Sequence, residues 1–376
     1  MKKEKHLLVI GGDRLGNYET LAPIANHIVK THKYRLYTLF QDKKIISDLK
    51  KNTILNLFYS QGSMLSLSKY TSLVEIIHVM IYVLSSKNGL VLTNRPLVSP
   101  KFNLLRLLFN LKGWRILYTK SFNRSPTENA RSLIGGKGYA LSKEELADFC
   151  LIPTIGHMIE YGVLGYRLRN MLVTGYPKMW KSWRVFINEN TSCDESFDYL
   201  IAMGIHYEGY DKILEEVLVL IDSINPNSII SIKPHPTTAI NIINHIIENS
   251  NIRAKAKVNI NNVASQSICA GLTIVHGTSS CIDANIGSKV LCYWGKDKSL
   301  VDKYNESNFN DSSDFVIMES NKTCREFVDM ECFTLDNLRE KLMGKLSANP
   351  ANPANPANIS LLKEQEFDLI DALDDR

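Results

Sequence analysis

Short apolar runs alternate with helical stretches along nearly the whole chain, and this alternation constrains the fold more than any other sequence feature. The apolar runs are predicted strands, and in the first half they are residues 6–10, 34–40, 89–93, 115–119, 149–153 and 170–174. In the second half they are residues 198–203, 228–232, 271–275 and 289–294. Strands separated by helices indicate parallel βαβ units. Each half is therefore predicted to be an α/β domain with a Rossmann-like sheet.

A polar stretch without periodicity, residues 185–197, separates the two halves. A chain of 376 residues is too long for one ordinary hydrophobic core, so two domains are expected. We predict an N-terminal domain at residues 1–186, a C-terminal domain at 187–346 and a tail at 347–376. The tail begins with a repeat of alanine, asparagine and proline, which excludes regular helix, and ends in a predicted helix. It is either an inert spacer or a tether that places this helix on a partner or on the N-terminal domain.

The composition is that of a soluble globular protein, with 44% hydrophobic and 22% charged residues. The net charge of +5 is mild, and no segment is typical of a nucleic-acid-binding tail, so nucleic acid is not an expected partner. The apolar run after the basic N-terminus is too short for a signal peptide, and the run at residues 73–84 is too short to span a membrane. The expected location is cytoplasmic, with peripheral contact to the inner membrane left open.

The seven cysteines form no CxxC pair, and several lie inside apolar runs. This distribution predicts buried, reduced thiols rather than disulfides or a zinc site. No Asp-x-Asp pair follows a predicted strand, so no metal and no other cofactor is expected.

The first motif that carries chemistry is Lys233-Pro-His-Pro236, between a predicted strand and a helix predicted at residues 238–248. The prolines stiffen the turn, which presents Lys233 and His235 where ligands bind in such sheets. Lys233 supplies positive charge, and His235 can donate a hydrogen bond or a proton to a phosphate. With Pro236 and the amides of the next helix, they form a predicted nucleotide-phosphate site. The alternative is a solvated surface turn.

The second motif is Gly277-Thr-Ser-Ser280, again between a predicted strand and a helix predicted from residue 280. Gly277 allows close backbone approach, and Thr278, Ser279 and Ser280 offer hydroxyls to phosphate oxygens. No P-loop lysine follows, so ATP hydrolysis is not indicated. Alone, this motif fits an ordinary helix cap equally well. Together with the first motif, it predicts a nucleotide site built on two adjacent strands.

A glycine-rich loop follows the first predicted strand at residues 11–16 and does not match GxGxxG. Its glycines would let the backbone approach an acceptor or a transferred sugar, with Asp13 or Glu19 as a catalytic carboxylate. The alternative is a tight turn in which Glu19 stabilises the start of its own helix, predicted at residues 19–31. Both interpretations stay open.

A long polar loop after the predicted strand at residues 115–119 contains Arg124, Glu128 and Arg131. Two arginines around a glutamate suit the binding of a carboxylate or phosphate on a substrate, and Glu128 is a third candidate catalytic carboxylate. The loop ends in two glycines and has the features of a lid. An ordinary solvated loop is the competing interpretation.

Residues 198–305, with the two motifs and the following Leu291-Cys-Tyr-Trp294, resemble bacterial surface-polysaccharide glycosyltransferases of the GT-B fold, in which two Rossmann-like domains enclose a cleft. In the sialyltransferases and Kdo transferases that use CMP-sugars, an HP motif and a paired-serine motif hold the CMP phosphate. The resemblance implies this role for residues 235–236 and 279–280. CDP-glycerol glycerophosphotransferases are similar, but have Asp-Tyr-Ser-Ser where this chain has residues 276–280 as His-Gly-Thr-Ser-Ser.

The resemblance implies a metal-independent glycosyltransferase that moves an acidic sugar from a CMP-sugar donor to a glycan acceptor of a capsule or lipopolysaccharide. His235, assisted by Lys233, would stabilise the leaving phosphate, and Asp13, Glu19 or Glu128 would face the reacting carbon or the acceptor. The alternatives are polyol-phosphate transfer from CDP-glycerol, a UDP-sugar 2-epimerase of the same fold, and a non-catalytic scaffold that binds glycan or a partner.

Overall fold

The structure is a computed structural model. It describes residues 5–12, 14–66, 73–86, 89–94, 100–119, 147–153, 158, 170–204, 206, 209–236, 238–278, 280–295, 331–332 and 334–346. The chain forms two compact units, of which the first contains Met1–Phe186 and the second begins at Ile187. Each unit is built around one parallel β-sheet.

The described strands of the first unit are β1 (His6–Ile10), β2 (Arg35–Phe40), β3 (Ser63–Ser66), β4 (Leu90–Thr93), β5 (Arg115–Thr119), β6 (Phe149–Ile152) and β7 (Met171–Val173). They form one parallel sheet in the order β3-β2-β1-β4-β5-β6-β7. The central strands β1 and β4 are buried along their whole length, as expected for strands covered on both faces.

The described helices of the first unit are α1 (Leu15–His32), α2 (Lys43–Lys50), α3 (Thr53–Ser60), α4 (Leu73–Ser85) and α5 (Pro100–Leu111). Helix α6 (Lys181–Glu189) begins in the first unit and ends in the second. The side chains of Asp42 and Asn52 accept backbone N–H groups of α2 and α3, which explains where these helices begin. Helices α4 and α5 pack side by side on the sheet through a shared apolar core.

The described strands of the second unit are β8 (Phe197–Met203), β9 (Ile229–Lys233), β10 (Lys255–Val258), β11 (Ala270–His276), β12 (Lys289–Tyr293) and β13 (Glu331–Cys332). They form one parallel sheet in the order β10-β9-β8-β11-β12-β13. Its described helices are α7 (Tyr210–Ile224), α8 (Ile240–Asn249), α9 (Val263–Ile268), α10 (Cys281–Ala284) and α11 (Leu335–Leu346). Helices α7 and α11 pack on each other over the core of this unit.

Both sheets have the strand order of a doubly wound Rossmann fold, which confirms the predicted fold class. In this order the chain leaves the first strand toward one edge of the sheet and later returns to the first strand's other side. The crevice at that point lies between β1 and β4 in the first sheet and between β8 and β11 in the second. Ligands bind at this switch point in folds of this kind.

The prediction of an irregular segment at residues 185–197 is wrong for residues 185–189, whereas residues 190–196 form neither helix nor strand. Helix α6 continues to Glu189, and its inner side buries Trp183 and Phe186 against Phe58 of α3. The apolar residues at positions 183, 186 and 187 have the spacing of one helix face. This helical period is weak in the sequence because the residues around them are polar.

The prediction that the cysteines are all reduced is wrong for one pair, because Cys193 and Cys269 form a disulfide. The reason is strand pairing. Phe197 N donates to the carbonyl oxygen of Cys269 at 2.8 Å, so the segments that lead into β8 and β11 run side by side. Four other cysteines are free thiols, half-buried at Cys150 and buried at Cys281, Cys292 and Cys332.

Candidate functional site

The two predicted motifs lie on either side of β8. Strand β9 ends at Lys233 opposite Ala202, and β11 ends at His276 opposite Met203, so both motifs follow strand ends at the same edge of the sheet. The prediction that their strands are adjacent is wrong, because the chain places β8 between them. Two strand spacings, about 10 Å, therefore separate the two strand ends.

The end of β8 lies against β11 through a pair of glycines. Gly204 N donates to the carbonyl oxygen of His276 at 2.8 Å, and Gly277 has a φ of 57°. A Cβ atom on Gly204 would lie 1.9 Å from the carbonyl oxygen of Gly277, which no side chain can tolerate. The two backbones therefore meet at the switch point more closely than any other residue type allows.

Strand β9 runs directly into the Lys233–Pro236 turn. Lys233 Nζ donates to the carbonyl oxygen of Pro234 at 3.0 Å, and Thr238 N donates to that of His235 at 2.9 Å. Lys233 and His235 are half-buried and Pro236 is exposed. Helix α8 begins only at residue 240, two residues later than predicted, and its capping residue Ala239 makes no side-chain hydrogen bond. The side chains of the turn, more than the helix end, thus define this part of the site.

The electrostatics of the turn set the protonation of His235. Burial lowers the pKa of His235 below its usual value, and the charge of Lys233 lowers it further. The imidazole is therefore neutral at pH 7 and can donate one N–H to a phosphate oxygen. A bound phosphate would supply negative charge and favour the imidazolium form, which could then donate a proton.

Strand β11 leads into the second motif, in which the hydroxyl of Thr278 closes a local turn. The Thr278 Oγ1 atom accepts from Ser280 N at 3.2 Å and donates to Ser280 Oγ at 3.0 Å. Because Ser280 Oγ accepts this bond, it can donate its own proton to a ligand. Ser279 lies outside the described residues. The helix that follows, α10, has only one turn.

His276 is a residue of this edge that the sequence analysis does not select. It is buried, and its Nδ1 donates to the carbonyl oxygen of Tyr293 at 2.7 Å, since a carbonyl can only accept. Burial lowers the pKa of His276 to about 4, against the opposing effect of that hydrogen bond. The ring is therefore neutral at pH 7, with its lone pair on Nε2. Its position as the last residue of a buried strand, directly before Gly277, is the sequence signal that indicates it.

Trp294 follows β12 at the same edge and packs edge-on against the ring of His276, with 6.0 Å between the ring centroids. Its indole Nε1 is buried and makes no hydrogen bond. Buried donors in native proteins nearly always have a partner. The indole N–H of Trp294, which lies beside the second motif without a hydrogen bond, is a candidate donor to a ligand.

The switch point of the first sheet is organised by Asn94, directly after β4. Its Oδ1 accepts from Gly12 N at 3.2 Å, and its Nδ2 donates to the carbonyl oxygen of Asn17 at 3.0 Å. A Cβ atom on Gly11 would lie 2.5 Å from the ring of Tyr18, so this loop needs glycine there. Asn94 thus ties the glycine loop after β1 to the end of β4, and the sequence analysis does not identify it.

Of the three predicted catalytic carboxylates, only Glu19 lies among the described residues. Glu19 lies in the second turn of α1, which begins at residue 15, so it is not at the helix start that it was expected to stabilise. Its charge contributes to the raised pKa of the buried Tyr59, which places it near α3. Asp13, Arg124, Glu128 and Arg131 lie outside the described residues. Among the residues that are described, no three His, Cys, Asp or Glu side chains cluster in a way that could hold a metal ion.

Two units, each built on a parallel Rossmann-like sheet, have the fold of the GT-B proteins. One similar solved structure, from Listeria monocytogenes, is assigned as a UDP-N-acetylglucosamine 2-epimerase. It is 12% identical, has a TM-score of 0.54, and the match covers 97% of this chain and 93% of that one. A second UDP-N-acetylglucosamine 2-epimerase is 9% identical, with a TM-score of 0.54 and coverage of 97% and 91%. These likenesses show the fold alone. No protein-family model and no curated protein matches the sequence.

Proposed function

We propose that this protein is a nucleotide-sugar enzyme that binds the phosphates of its substrate at the carboxyl edge of the second sheet. One observation carries the proposal: cationic and hydroxyl-bearing turns end the strands on both sides of β8, at the switch point of a Rossmann-order sheet. Ligands of such sheets bind at that position. A span of about 10 Å between the turns gives room for a diphosphate that both turns contact.

Within this site the two turns have complementary roles. Lys233 supplies a fixed positive charge, and the neutral imidazole of His235 donates a hydrogen bond. On the other side, Ser280 Oγ offers a hydroxyl donor. When the bond between the sugar and the nucleotide breaks, negative charge grows on the departing phosphate and raises the pKa of His235. The imidazolium then stabilises the leaving group without a metal ion.

We propose that the substrate is a UDP-linked N-acetylated sugar and that the reaction inverts its carbon 2. The resemblance to two UDP-N-acetylglucosamine 2-epimerases supports this choice, since each match extends over nearly the full length of both chains. Inversion requires that a base removes the proton from carbon 2 while the bond between carbon 1 and the nucleotide breaks. The proton then returns to the opposite face of carbon 2 and the nucleotide adds back to carbon 1, so a base must lie near carbon 2. Asp13, Glu19 and Glu128 are the candidate carboxylates for this role.

The second candidate is transfer of an acidic sugar from a CMP-sugar to a glycan. It is supported by Lys233-Pro-His-Pro236 and by the paired serines at residues 279 and 280, which resemble the phosphate-binding motifs of CMP-sugar transferases. The same phosphate site serves both reactions, because both break the bond between the nucleotide and the sugar. In transfer, the carboxylate would activate an acceptor hydroxyl.

A panel of nucleotides distinguishes the candidates. We expect UDP to raise the unfolding temperature more than CMP, CDP or GDP, because the proposed substrate is linked to UDP. A ligand at about 100 times its Kd stabilises the folded state by about 2.7 kcal/mol. A larger shift with CMP would favour sugar transfer. No shift with any nucleotide would refute the nucleotide-sugar proposal. Incubation with UDP-N-acetylglucosamine, followed by proton NMR, should then show a second N-acetylhexosamine product.

The role of His235 is tested by His235→Ala. Loss of a general acid or of a phosphate donor typically reduces turnover by a factor of about 100 or more, so we expect a loss of this size. The matched control is His245→Ala, because His245 is an exposed histidine on α8 whose described contact is with Asn249. Turnover of the control should stay within about twofold of wild type. Equal turnover in the two variants would exclude His235 from the chemistry.

A further inference from the structure

Helices α4 and α5 of the first unit expose large aliphatic side chains on their outer sides. Their inner sides pack on the sheet through Val79, Val83 and Phe109. Their outer sides expose five large aliphatic side chains, here called the α4–α5 face: Ile77 41%, Ile81 57%, Leu84 47%, Leu107 55% and Leu111 73%. Contiguous exposed aliphatic side chains of this kind mark interaction sites on soluble proteins, so this face has the composition of a surface that is covered in use.

The geometry makes these side chains one surface. Ile77, Ile81 and Leu84 are spaced by four and three residues, so they lie on one side of α4. Leu107 and Leu111 are spaced by four residues on α5, and the two helices pack against each other. Lys112 Nζ donates to the carbonyl oxygen of Leu84 at 2.9 Å, which joins the two helix ends beside the exposed leucines.

The same part of the chain carries a concentrated positive charge. Residues 76–127 contain eight lysines and arginines and no aspartate or glutamate. The whole chain has a net charge of +5, so the rest of the chain carries a net charge of −3. Helix α4 itself contains one acidic residue, Glu75. Among the described side chains, Arg106 on α5 and Lys112, directly after it, are sequence neighbours of the exposed Leu107 and Leu111.

We propose that the α4–α5 face binds the surface of an anionic phospholipid bilayer. Aliphatic side chains enter the boundary between headgroups and acyl chains, and lysine and arginine bind the lipid phosphates. Nucleic acid would use the charges but would leave the aliphatic side chains without contacts. A second copy of the chain would place two positively charged segments against each other. This proposal concerns a surface other than the nucleotide site and does not depend on the proposed reaction. Along the described part of the chain, no helix is both long enough and apolar enough to cross a bilayer.

The test is co-sedimentation of the full-length protein with vesicles. We expect binding at least about tenfold tighter to phosphatidylcholine mixed with one third phosphatidylglycerol than to phosphatidylcholine alone, since each basic residue near an anionic surface contributes about fivefold. Raising the salt from about 0.1 M to about 1 M shortens the screening length from about 10 Å to about 3 Å and should remove most of this binding. Equal binding to both vesicles, or no binding to either, would overturn the proposal.

The face itself is tested by a double substitution, Ile81→Glu with Leu107→Glu. The matched control is Val219→Glu with Met343→Glu, because these side chains are similarly exposed, 46% and 56%, on the packed helices α7 and α11 of the second unit. We expect at least a tenfold loss of vesicle binding in the first variant and less than a twofold change in the control, with unchanged unfolding temperatures. An equal loss in both variants would overturn the proposal. So would a wild-type dimer that the first variant alone dissociates in sedimentation equilibrium.

Discussion

The approach of Gly204 to Gly277 leads to a prediction for Gly204→Ala. The new Cβ would lie 1.9 Å from the carbonyl oxygen of Gly277, and 2.6 Å from its carbonyl carbon. Close carbon–oxygen contacts are about 3.3 Å, so β8 and β11 must separate by more than 1 Å at their ends. Overpacking costs about 1–3 kcal/mol, and loss of the Gly204 N hydrogen bond adds about 1 kcal/mol. We expect a loss of about 3 kcal/mol of unfolding free energy.

Thermal unfolding measures this effect, and a loss of about 3 kcal/mol corresponds to a fall of about 6–12 °C for a unit of this size. The affinity for UDP should fall as well, because separation of β8 and β11 moves residues 277–280 away from Lys233. The matched control is Gly344→Ala in α11, where a Cβ meets nothing within 4 Å. Alanine in a helix should stabilise by about 0.5–1 kcal/mol. An unfolding temperature for Gly204→Ala within about 2 °C of wild type would refute the close approach.

Two further predictions concern His276 and the disulfide. Because the pKa of His276 is about 4 in the folded protein and about 6.5 when unfolded, the unfolded state binds an extra proton between these values. The unfolding free energy should therefore fall by about 1.4 kcal/mol per pH unit as the pH drops from 6.5 toward 4, and urea titrations of His276→Gln should show a flatter profile; parallel profiles would contradict the assignment. The Cys193–Cys269 disulfide closes a loop with a sequence separation of 76, so Cys193→Ser should lower the unfolding free energy by about 2–4 kcal/mol. Peptide mapping after alkylation without reductant should find both cysteines unlabelled, and labelling of either would disprove the link.

The parts of the fold that the sequence predicts best are the buried elements. Strands β1 and β5 have the predicted bounds, and β8 differs by one residue, because a strand covered on both faces is a continuous apolar run. Strands β3 and β10 are not predicted from the sequence. Both are edge strands, and β10 alternates between exposed and half-buried residues, so its apolar signal is weak. Local sequence patterns do not reveal the order of strands in a sheet, which is why the prediction that the two motifs follow adjacent strands is wrong.

The residues of the candidate site also fall into two groups, those that local sequence patterns predict and those that depend on strand pairing. Lys233, His235 and Ser280 are predicted because a charged, proline-stiffened or small-residue turn after an apolar run is a local pattern. Gly204 and Asn94 are not predicted, because their importance depends on which strand lies beside them. Gly204 is an ordinary glycine after a strand until β11 brings Gly277 next to it. Asn94 is an ordinary polar residue until β1 brings Gly12 within 3.2 Å.

The repeated strand order has a consequence for how the protein acquires its function during folding. In each sheet the switch point is made by the two paired strands that are farthest apart in sequence: Leu7 pairs with Leu90, and Tyr199 with Leu272. Closing such long loops is slow, and contacts between distant residues dominate folding times. The strand pair that builds each crevice is thus the one with the largest entropic barrier to formation. A chain arrested early in folding would contain helices and neighbouring strands but no phosphate site, so UDP binding would report completion of the second sheet.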